Sequence, residues 1–394
     1  MQLNCLATFR FVLIGVLGLI FTNGVMPSRA EAQSKVPPLT WSGDMRYRFV
    51  NLREATDETR LYQQLRVRLG LKAEIQDDLT AVLRLATATS AISNNQTLGD
   101  SKEPGMPRRS FGVDLAYGDW NFLGDGRLWL GRTPNPFFTP GKTQMVFDSD
   151  LAFEGASVSW MPKWDDASAF ATLGGFIISE NYASPNDVID TGLIGANLGY
   201  SLKTSAGQWT VHAARFHYLN IVDRPVTSVE KDAKIDAYSY PFDRFRGNTV
   251  YPNDPLAAPA DRKYFYKFDF VQTELGLEWK LKALGLEFLA YGDWIANERA
   301  SHAGDALEIG ASVKYGRAQL LLASATKKSD SVLGAFSDSD FNGGGTDNSG
   351  LKLSASYQLS DDSNIVFTHY QAKRGIDSVE RDYKAQQLDF SLMF

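Results

Sequence analysis

Cysteine, long apolar runs and catalytic signatures are all scarce here. The only cysteine is Cys5, upstream of the sole extended apolar run, so the rest of the chain can build neither a disulfide framework nor a cysteine-based metal site. Beyond Phe21 one of the best apolar stretches is Leu173–Ile178, "LGGFII", six residues long. A membrane-spanning helix needs about 20 apolar residues. Histidine is limited to His212, His217, His302 and His369. There is no H-E-x-x-H, no G-x-S-x-G and no phosphate-cradling glycine loop, so neither an enzyme nor a cofactor is expected. No basic excess is present either: the net charge is −6, which argues against a nucleic-acid partner.

What is present begins with an export signal. Arg10 precedes the uncharged run Phe11–Phe21, and "SRAEAQS" follows with Ala30 and Ala32 at small-residue positions. This is the layout of a secretory signal peptide, read as residues 1–32 with cleavage after Ala32. Cys5 lies far from that point and is no lipoprotein cysteine. Residues 33–394 then carry 38 basic and 45 acidic side chains, net −7. An exported chain without helical spans is either soluble or a β-barrel.

Alternating segments of about ten residues recur through the chain, the length at which a tilted strand crosses a membrane. In Gln64–Ile75, "QLRVRLGLKAEI", Leu65, Val67, Leu69, Leu71, Ala73 and Ile75 form one face, and Arg66, Arg68, Lys72 and Glu74 the other. Leu307–Tyr315, Leu351–Leu359 and Val271–Leu281 repeat the scheme. About sixteen segments are expected, near 40–50, 62–75, 79–89, 111–120, 126–132, 151–161, 168–179, 192–204, 207–220, 264–282, 284–296, 305–315, 317–327, 349–360, 363–374 and 382–394. Arg132 is in phase with Leu128 and Leu130, which predicts a bulge or an early end in that strand. The segments near 207 and 363 choose no face cleanly. Connections tend to alternate between tight turns such as "QDD", "LGDG", "ALG" and "YGR" and long loops such as 90–110, 133–150, 221–263 and 328–348.

The alternation fits a soluble sandwich as well as a barrel, because period two says which residues share a face and not what the face touches. Loop sorting by length favours the barrel, as do aromatics near strand ends (Trp41, Trp120, Phe122, Trp160, Trp164, Trp294, Phe394) and a chain that both begins and ends in strand. The expected fold is all-β, a single transmembrane antiparallel β-barrel of about sixteen strands over residues 33–394, with short periplasmic turns and long extracellular loops. In the last strand Leu388, Phe390, Leu392 and Phe394 should face lipid, with Gln387, Asp389, Ser391 and Met393 facing the lumen. On the second face of the first three strands, Arg46, Arg48, Arg66, Arg68, Lys72 and Arg84 should point inward as a pore-lining basic wall. Such a wall in a water-filled lumen attracts anions, although Asp44 or Glu74 would cancel part of its field.

Several stretches also resemble the "putative porin" family of Gram-negative outer-membrane proteins: "GDMRYRF" (Gly43–Phe49), "QLRVRLGLKAEIQDDLTAVLRLATATS" (Gln64–Ser90), "NNQTLGD" (Asn94–Asp100), "LGRTPNPF" (Leu130–Phe137) and "FDSDLAFEGASV" (Phe147–Val158). The resemblance implies a sixteen-stranded porin in the bacterial outer membrane, surrounded by outer-membrane lipid and lipopolysaccharide. It also implies passage of small solutes or ions and a homotrimer. Phe394 is similar to the carboxy-terminal assembly signal that the barrel-assembly machinery reads. The loop 133–150 corresponds to the one that folds inward in general porins; its alternative is an external flap packed on neighbouring loops. Its Phe137 and Phe138 would pack on the wall, and Asp148, Asp150 and nearby Glu154 would face the arginines at a constriction. The alternatives are a non-conducting structural or adhesion barrel that binds a partner through its long loops, and a soluble secreted β-protein. The loop at 221–263, with Tyr238, Tyr240, Phe242, Phe245 and Tyr251, reads as an ordered extracellular loop. "DSDFNG" (Asp338–Gly343) matches the first half of a calcium loop but meets Ser349 where the twelfth-position glutamate belongs, so a mobile Gly- and Asp-rich loop is expected instead.

Overall fold

The computed structural model describes residues 37–54, 59–87, 93–99, 105–106, 108–180, 190–222, 246–252, 254–256 and 264–394. The predicted signal peptide and Tyr238, Tyr240, Phe242 and Phe245 lie outside them. The strands are β1 (Leu39–Glu54), β2 (Thr59–Glu74), β3 (Leu79–Thr87), a two-residue β4 (Gln96–Thr97), β5 (Phe111–Phe122), β6 (Gly126–Thr133), β7 (Phe153–Trp160), β8 (Ala167–Ser179), β9 (Thr191–Thr204) and β10 (Gly207–Leu219). They continue as the short β11 (Val250–Pro252) and β12 (Tyr264–Tyr266), then β13 (Val271–Ala283), β14 (Leu286–Asn297), β15 (Asp305–Tyr315), β16 (Ala318–Lys327), β17 (Asn348–Ser360), β18 (Ser363–Arg374) and β19 (Arg381–Met393). All except β4, β11 and β12 form one closed antiparallel barrel of sixteen strands. Among the described residues the only helical pieces are the single 3-10 turns Pro140–Lys142 and Phe341–Gly343.

The barrel closes where β1 meets β19, in a ladder running from Asp44↔Met393 to Glu54↔Tyr383. Phe394 extends it: its N–H donates to the Gly43 carbonyl at 3.0 Å, and the Gly43 N–H donates to its carbonyl at 2.6 Å. Its ring lies over Gly43, where a Cβ would come within 2.4 Å of ring carbons. This places an aromatic ring over a bare strand glycine at the seam. Leu388 and Phe390 face outward while Gln387 and Asp389 are buried, as the period predicts.

Burial is inverted relative to a soluble protein. Leu307 and Ile309 on β15 are exposed, and Glu308 between them is buried. The apolar face therefore meets lipid and the polar face the lumen. Tight turns end the strands on one side. Leu284 and Gly285, with φ of 55° and 76°, join β13 to β14 as a two-residue turn that needs left-handed backbone at both central positions. Trp41, Trp160, Trp164 and Phe394 are exposed near these short-turn ends, as an interfacial girdle would be.

The hydrophobic core is inside the lumen. The segment between β6 and β7 supplies Phe137, Met145, Val146, Phe147 and Leu151, and that between β16 and β17 supplies Val332, Leu333, Ala335, Phe336 and Phe341. Inward-facing Phe153, Phe176, Phe216, Tyr218 and Tyr370 are among the strand residues that join it.

Three sequence expectations need correction. The stretch 264–282 is two elements: β12 pairs with β11 in a separate ribbon, and the barrel strand starts at Val271. Strand β6 neither bulges nor ends early. Arg132 stays on the outer face because Glu154 of β7, also outward, pairs with it; the register shift falls instead between β3 and β5 at Arg84/Leu85. The Asp338–Gly343 segment is no loose surface loop. Ser337, Asn342 and Thr346 are fully buried, and the Asn348 amide donates to the carbonyls of Gly344, Gly345 and Thr346.

Candidate functional site

Alternation along β1 and β2 aims Arg46, Arg48, Arg66 and Arg68 into the barrel, and Arg46 and Arg66 are direct register partners. Left alone, four guanidinium groups at this spacing would repel one another. Each finds an acid or amide oxygen. Arg48 is 4% exposed and forks onto Asp389 of β19, with Nε to Oδ1 at 2.6 Å and Nη2 to Oδ2 at 2.9 Å. Its Nη1 donates to Asp340 Oδ2 at 2.7 Å. Arg66 and Arg68 share Asp44, at 3.0 and 2.6 Å, and both approach Asp150, at 3.8 and 3.6 Å. Arg46 donates to the Asn95 amide oxygen at 2.6 Å; its carboxylate neighbour is Asp389 at 3.9 Å, already engaged by Arg48. Arg84 pairs with Asp114 at 2.6 Å.

The loop between β6 and β7 enters the barrel and reaches both sides of it. Phe137 meets Phe147, Phe153, Phe176 and Phe216 at ring separations of 5.0 to 6.3 Å, and Phe138 rests on Phe170 and His212. Aromatic pairs of this kind add about 0.5–1.5 kcal/mol each beyond burial. Farther along, Gly141 N–H donates to Glu278 at 2.9 Å and Thr143 Oγ1 to Asp293 at 2.6 Å, on β13 and β14. Gly141 lies flat against the Tyr291 ring with φ of 58°, where a Cβ would sit 2.2 Å from ring carbon. The loop returns to put Asp150 beside Arg66 and Arg68.

A second inward loop, between β16 and β17, was not legible as such. Its Asp340 reaches Arg48, and its backbone binds the first loop: Asp148 N–H donates to the Phe336 carbonyl at 2.7 Å and Ser339 N–H to Asp148 Oδ2 at 2.8 Å. Burial raises the Asp148 carboxyl to about 8, and the neighbouring Asp338 and Asp150 carboxylates push the same way. Burial also opposes charge on Asp340, but the Arg48 guanidinium outweighs it and holds that carboxyl down to about 2.

The expected site residues therefore divide. Arg46, Arg48, Arg66, Arg68 and Asp150 come together, with Phe137 and Phe138 anchoring the loop, while Arg84 joins the inner face with its own partner. Three are placed otherwise. Lys72 is half-exposed, down β2 toward the short-turn end, and pairs with Glu74 at 3.5 Å. Asp148 faces the second loop and not the arginines. Glu154 points outward, because Phe153 beside it takes the inward position and alternation sends the next side chain to the other face. Sequence reasoning missed Asp340, Asp114 and Asn95 as partners of the wall. Alternation alone puts Asp389 on the lumen face, and its place opposite Arg48 depends on the closing register. The calcium-like segment makes no cation cradle, since the Asp340 carboxylate is held by Arg48 and Asp338 Oδ1 accepts the Asp340 N–H.

Comparison with known proteins agrees with this architecture. The "Putative porin" family model matches residues 32–278 and 309–394, and the chain belongs to that family. No curated protein sequence matches it. Among solved structures it is similar to OprB of Pseudomonas putida at high pH, at 8% identity over 90% of this chain and 94% of that one, with a TM-score of 0.56. It is also similar to the outer-membrane channel DcaP of Acinetobacter baumannii, at 11% identity over 92% and 99% with a TM-score of 0.52. OmpF of Salmonella typhi, solved in complex with daunomycin, aligns at 13% identity over 93% and 100% with a TM-score of 0.51. The chain is a porin barrel of the bacterial outer membrane.

Proposed function

We propose that this porin is a passive diffusion channel for small hydrophilic solutes or ions, narrowed where the inward loop carries Asp150 to Arg66 and Arg68. The observation that carries the reading is that juxtaposition, 3.6 to 3.8 Å between loop acid and wall arginines, while the same loop is bonded to β13 and β14 on its other side. Pore width and field then set passage, with no chemical step. Around Arg46, Arg48, Arg66 and Arg68 stand the four carboxylates Asp44, Asp150, Asp340 and Asp389. One-for-one pairing cancels most of the field, so the anion preference is weak and centred on Arg46, the least matched. Reversal potential under a KCl gradient in a planar bilayer tests it. A small anion preference that disappears in Arg66→Ala/Arg68→Ala is expected; a cation preference unaffected by those changes overturns it.

The apolar core inside the lumen favours a second reading, a barrel that does not conduct and binds a partner through its loops. A purified, folded barrel that never conducts would establish that reading over the first. The homotrimer rests on the family resemblance alone; mass measurement in detergent tests it.

A further inference from the structure

The wall opposite the arginines carries a second constellation with different chemistry. Gly276 of β13 is the register partner of both His212 on β10 and Asp293 on β14, and Glu274 lies two residues away on the same face. A Cβ at Gly276 would meet His212 Nε2 at 2.1 Å and Pro140 Cγ at 2.4 Å, so the bare glycine leaves the space into which these side chains converge. One ligand atom from each of His212, Glu274 and Asp293 lies within 4.8 Å of the others, and His212 Nε2 is 3.6 Å from Glu274 Oε1. The three are 5%, 2% and 1% exposed.

Their hydrogen bonding is incomplete on the side where they meet. His212 Nε2 and Asp293 Oδ1 have no hydrogen-bond partner among the described residues, although Asp293 Oδ2 accepts the Thr143 hydroxyl at 2.6 Å. No lysine or arginine among the described residues pairs with Glu274 or Asp293; the wall's Lys280 is taken by Glu278. On the far side of the imidazole, the Asn197 amide sits 3.2 Å from Nδ1, and its Oδ1 is also unpartnered. With the amide turned so that Oδ1 accepts from Nδ1–H, the tautomer is fixed and the Nε2 lone pair points at the two carboxylates.

We propose that His212, Glu274 and Asp293 form a binding site for one divalent transition-metal ion of the zinc type. An imidazole nitrogen with two carboxylate oxygens is a donor set suited to such ions, which draw ligands to about 2.0–2.2 Å. Small side-chain rotations close the present separations. A +2 ion also neutralises two buried carboxylates that have no lysine or arginine partner among the described residues. Asn197 is a positioning residue that orients the imidazole. Through Thr143, bonded to Asp293, and Pro140, packed beside His212, the site ties the inward loop to the wall.

The test uses the refolded full barrel in detergent, stripped with chelator, with Zn²⁺ alone as titrant and Co²⁺ as a spectroscopic stand-in. One Zn²⁺ per barrel is expected, with Co²⁺ showing visible absorption of mixed nitrogen and oxygen ligation. Ca²⁺ and Mg²⁺ at equal concentration should not compete, because they favour larger all-oxygen shells. His212→Gln and Asp293→Asn, near-isosteric changes with folding checked by heat-modifiable mobility, should abolish stoichiometric binding. Asn197→Leu should weaken it about 10–100-fold while leaving one site. Absence of stoichiometric Zn²⁺ binding to the folded protein, or binding that survives both ligand substitutions, overturns the assignment. None of these readouts depends on conductance.

Discussion

Replacing Arg48 by alanine tests whether ion pairs hold the second loop inside the barrel. Arg48 is buried and spans two elements, with two hydrogen bonds to Asp389 of β19 and one to Asp340 of the loop between β16 and β17. Its removal leaves two acids facing a lumen from which their main cation is gone. Breaking a buried pair from one side costs about 3–5 kcal/mol. The Asp340 side chain is 35% exposed, so the part of that cost falling on the loop lies toward the lower end. At about 3 kcal/mol the population with the loop undocked rises on the order of a hundredfold. The assay is single-channel recording, where Arg48→Ala should show frequent transitions to a larger conductance that the parent rarely visits. Arg48→Lys separates charge from tether. It keeps the positive charge but cannot reproduce the planar fork, so it should show the transitions while the selectivity of each conductance level stays close to that of the same level in the parent. A double-mutant cycle with Asp340→Asn should give a coupling well above 0.5 kcal/mol, roughly the limit below which independent sites simply add. Additive effects, or an Arg48→Ala channel indistinguishable from the parent, refute the reasoning.

Asp148 sets a pH dependence of the opposite sign to the usual carboxylate. Burial raises it to about 8, so the docked loop keeps a proton that the free loop releases near 4. Docking is therefore fully supported below about pH 4 and loses support as pH climbs to about 8, by at most about 1.4 kcal/mol per unit. Transitions to the larger conductance should grow between about pH 4 and 8, level off above that, and be flat in Asp148→Asn; a parent that is flat or trends the other way removes the argument. Deleting Phe394 takes away both closing backbone bonds to Gly43 and the ring that covers it. Surface yield should fall several-fold while surviving barrels keep parental conductance, measured by surface labelling and bilayer recording; normal yield would mean the tail is ordinary strand.

The barrel was legible because the membrane dictates one face of each strand. Where the other face is charged, as in β2 or β15, alternation identifies both. It was illegible in β10 and β18 because their inner residues are also apolar: Ala214, Phe216 and Tyr218, and Tyr370 and Ala372, pack against the inward loops. The same loops account for the other misses. A run such as "SDSDFNGGG" reads as mobile, yet Gly343, Gly344 and Gly345 adopt φ of 82°, 81° and 69°, so they serve tight backbone turns in a buried segment. Asp340 as partner of Arg48, and the convergence of His212, Glu274 and Asp293 about Gly276, depend on register and loop path, and neither has a local sequence signal.

The docked loops also mask the charge on the wall. Arg48 lies six residues below the long-loop end of β1, about 15 Å along the axis for a rise of about 3.3 Å and a tilt of about 40°. Asp150 and Asp340 are thus delivered to mid-barrel by loops, while Asp44 and Asp389 are fixed on strands. With both loops in place four arginines face four acids. With both out, the same four arginines face only Asp44 and Asp389, and the constriction gains two positive charges. Widening and charge unmasking are then one event, so conductance and selectivity cannot vary independently. The larger-conductance state in a single channel should be more anion-selective than the smaller one, whereas a pore that merely widens loses selectivity. Reversal potentials measured separately on the two levels decide between these. Equal or weaker anion preference at the larger level would mean that Asp150 and Asp340 do not leave with their loops.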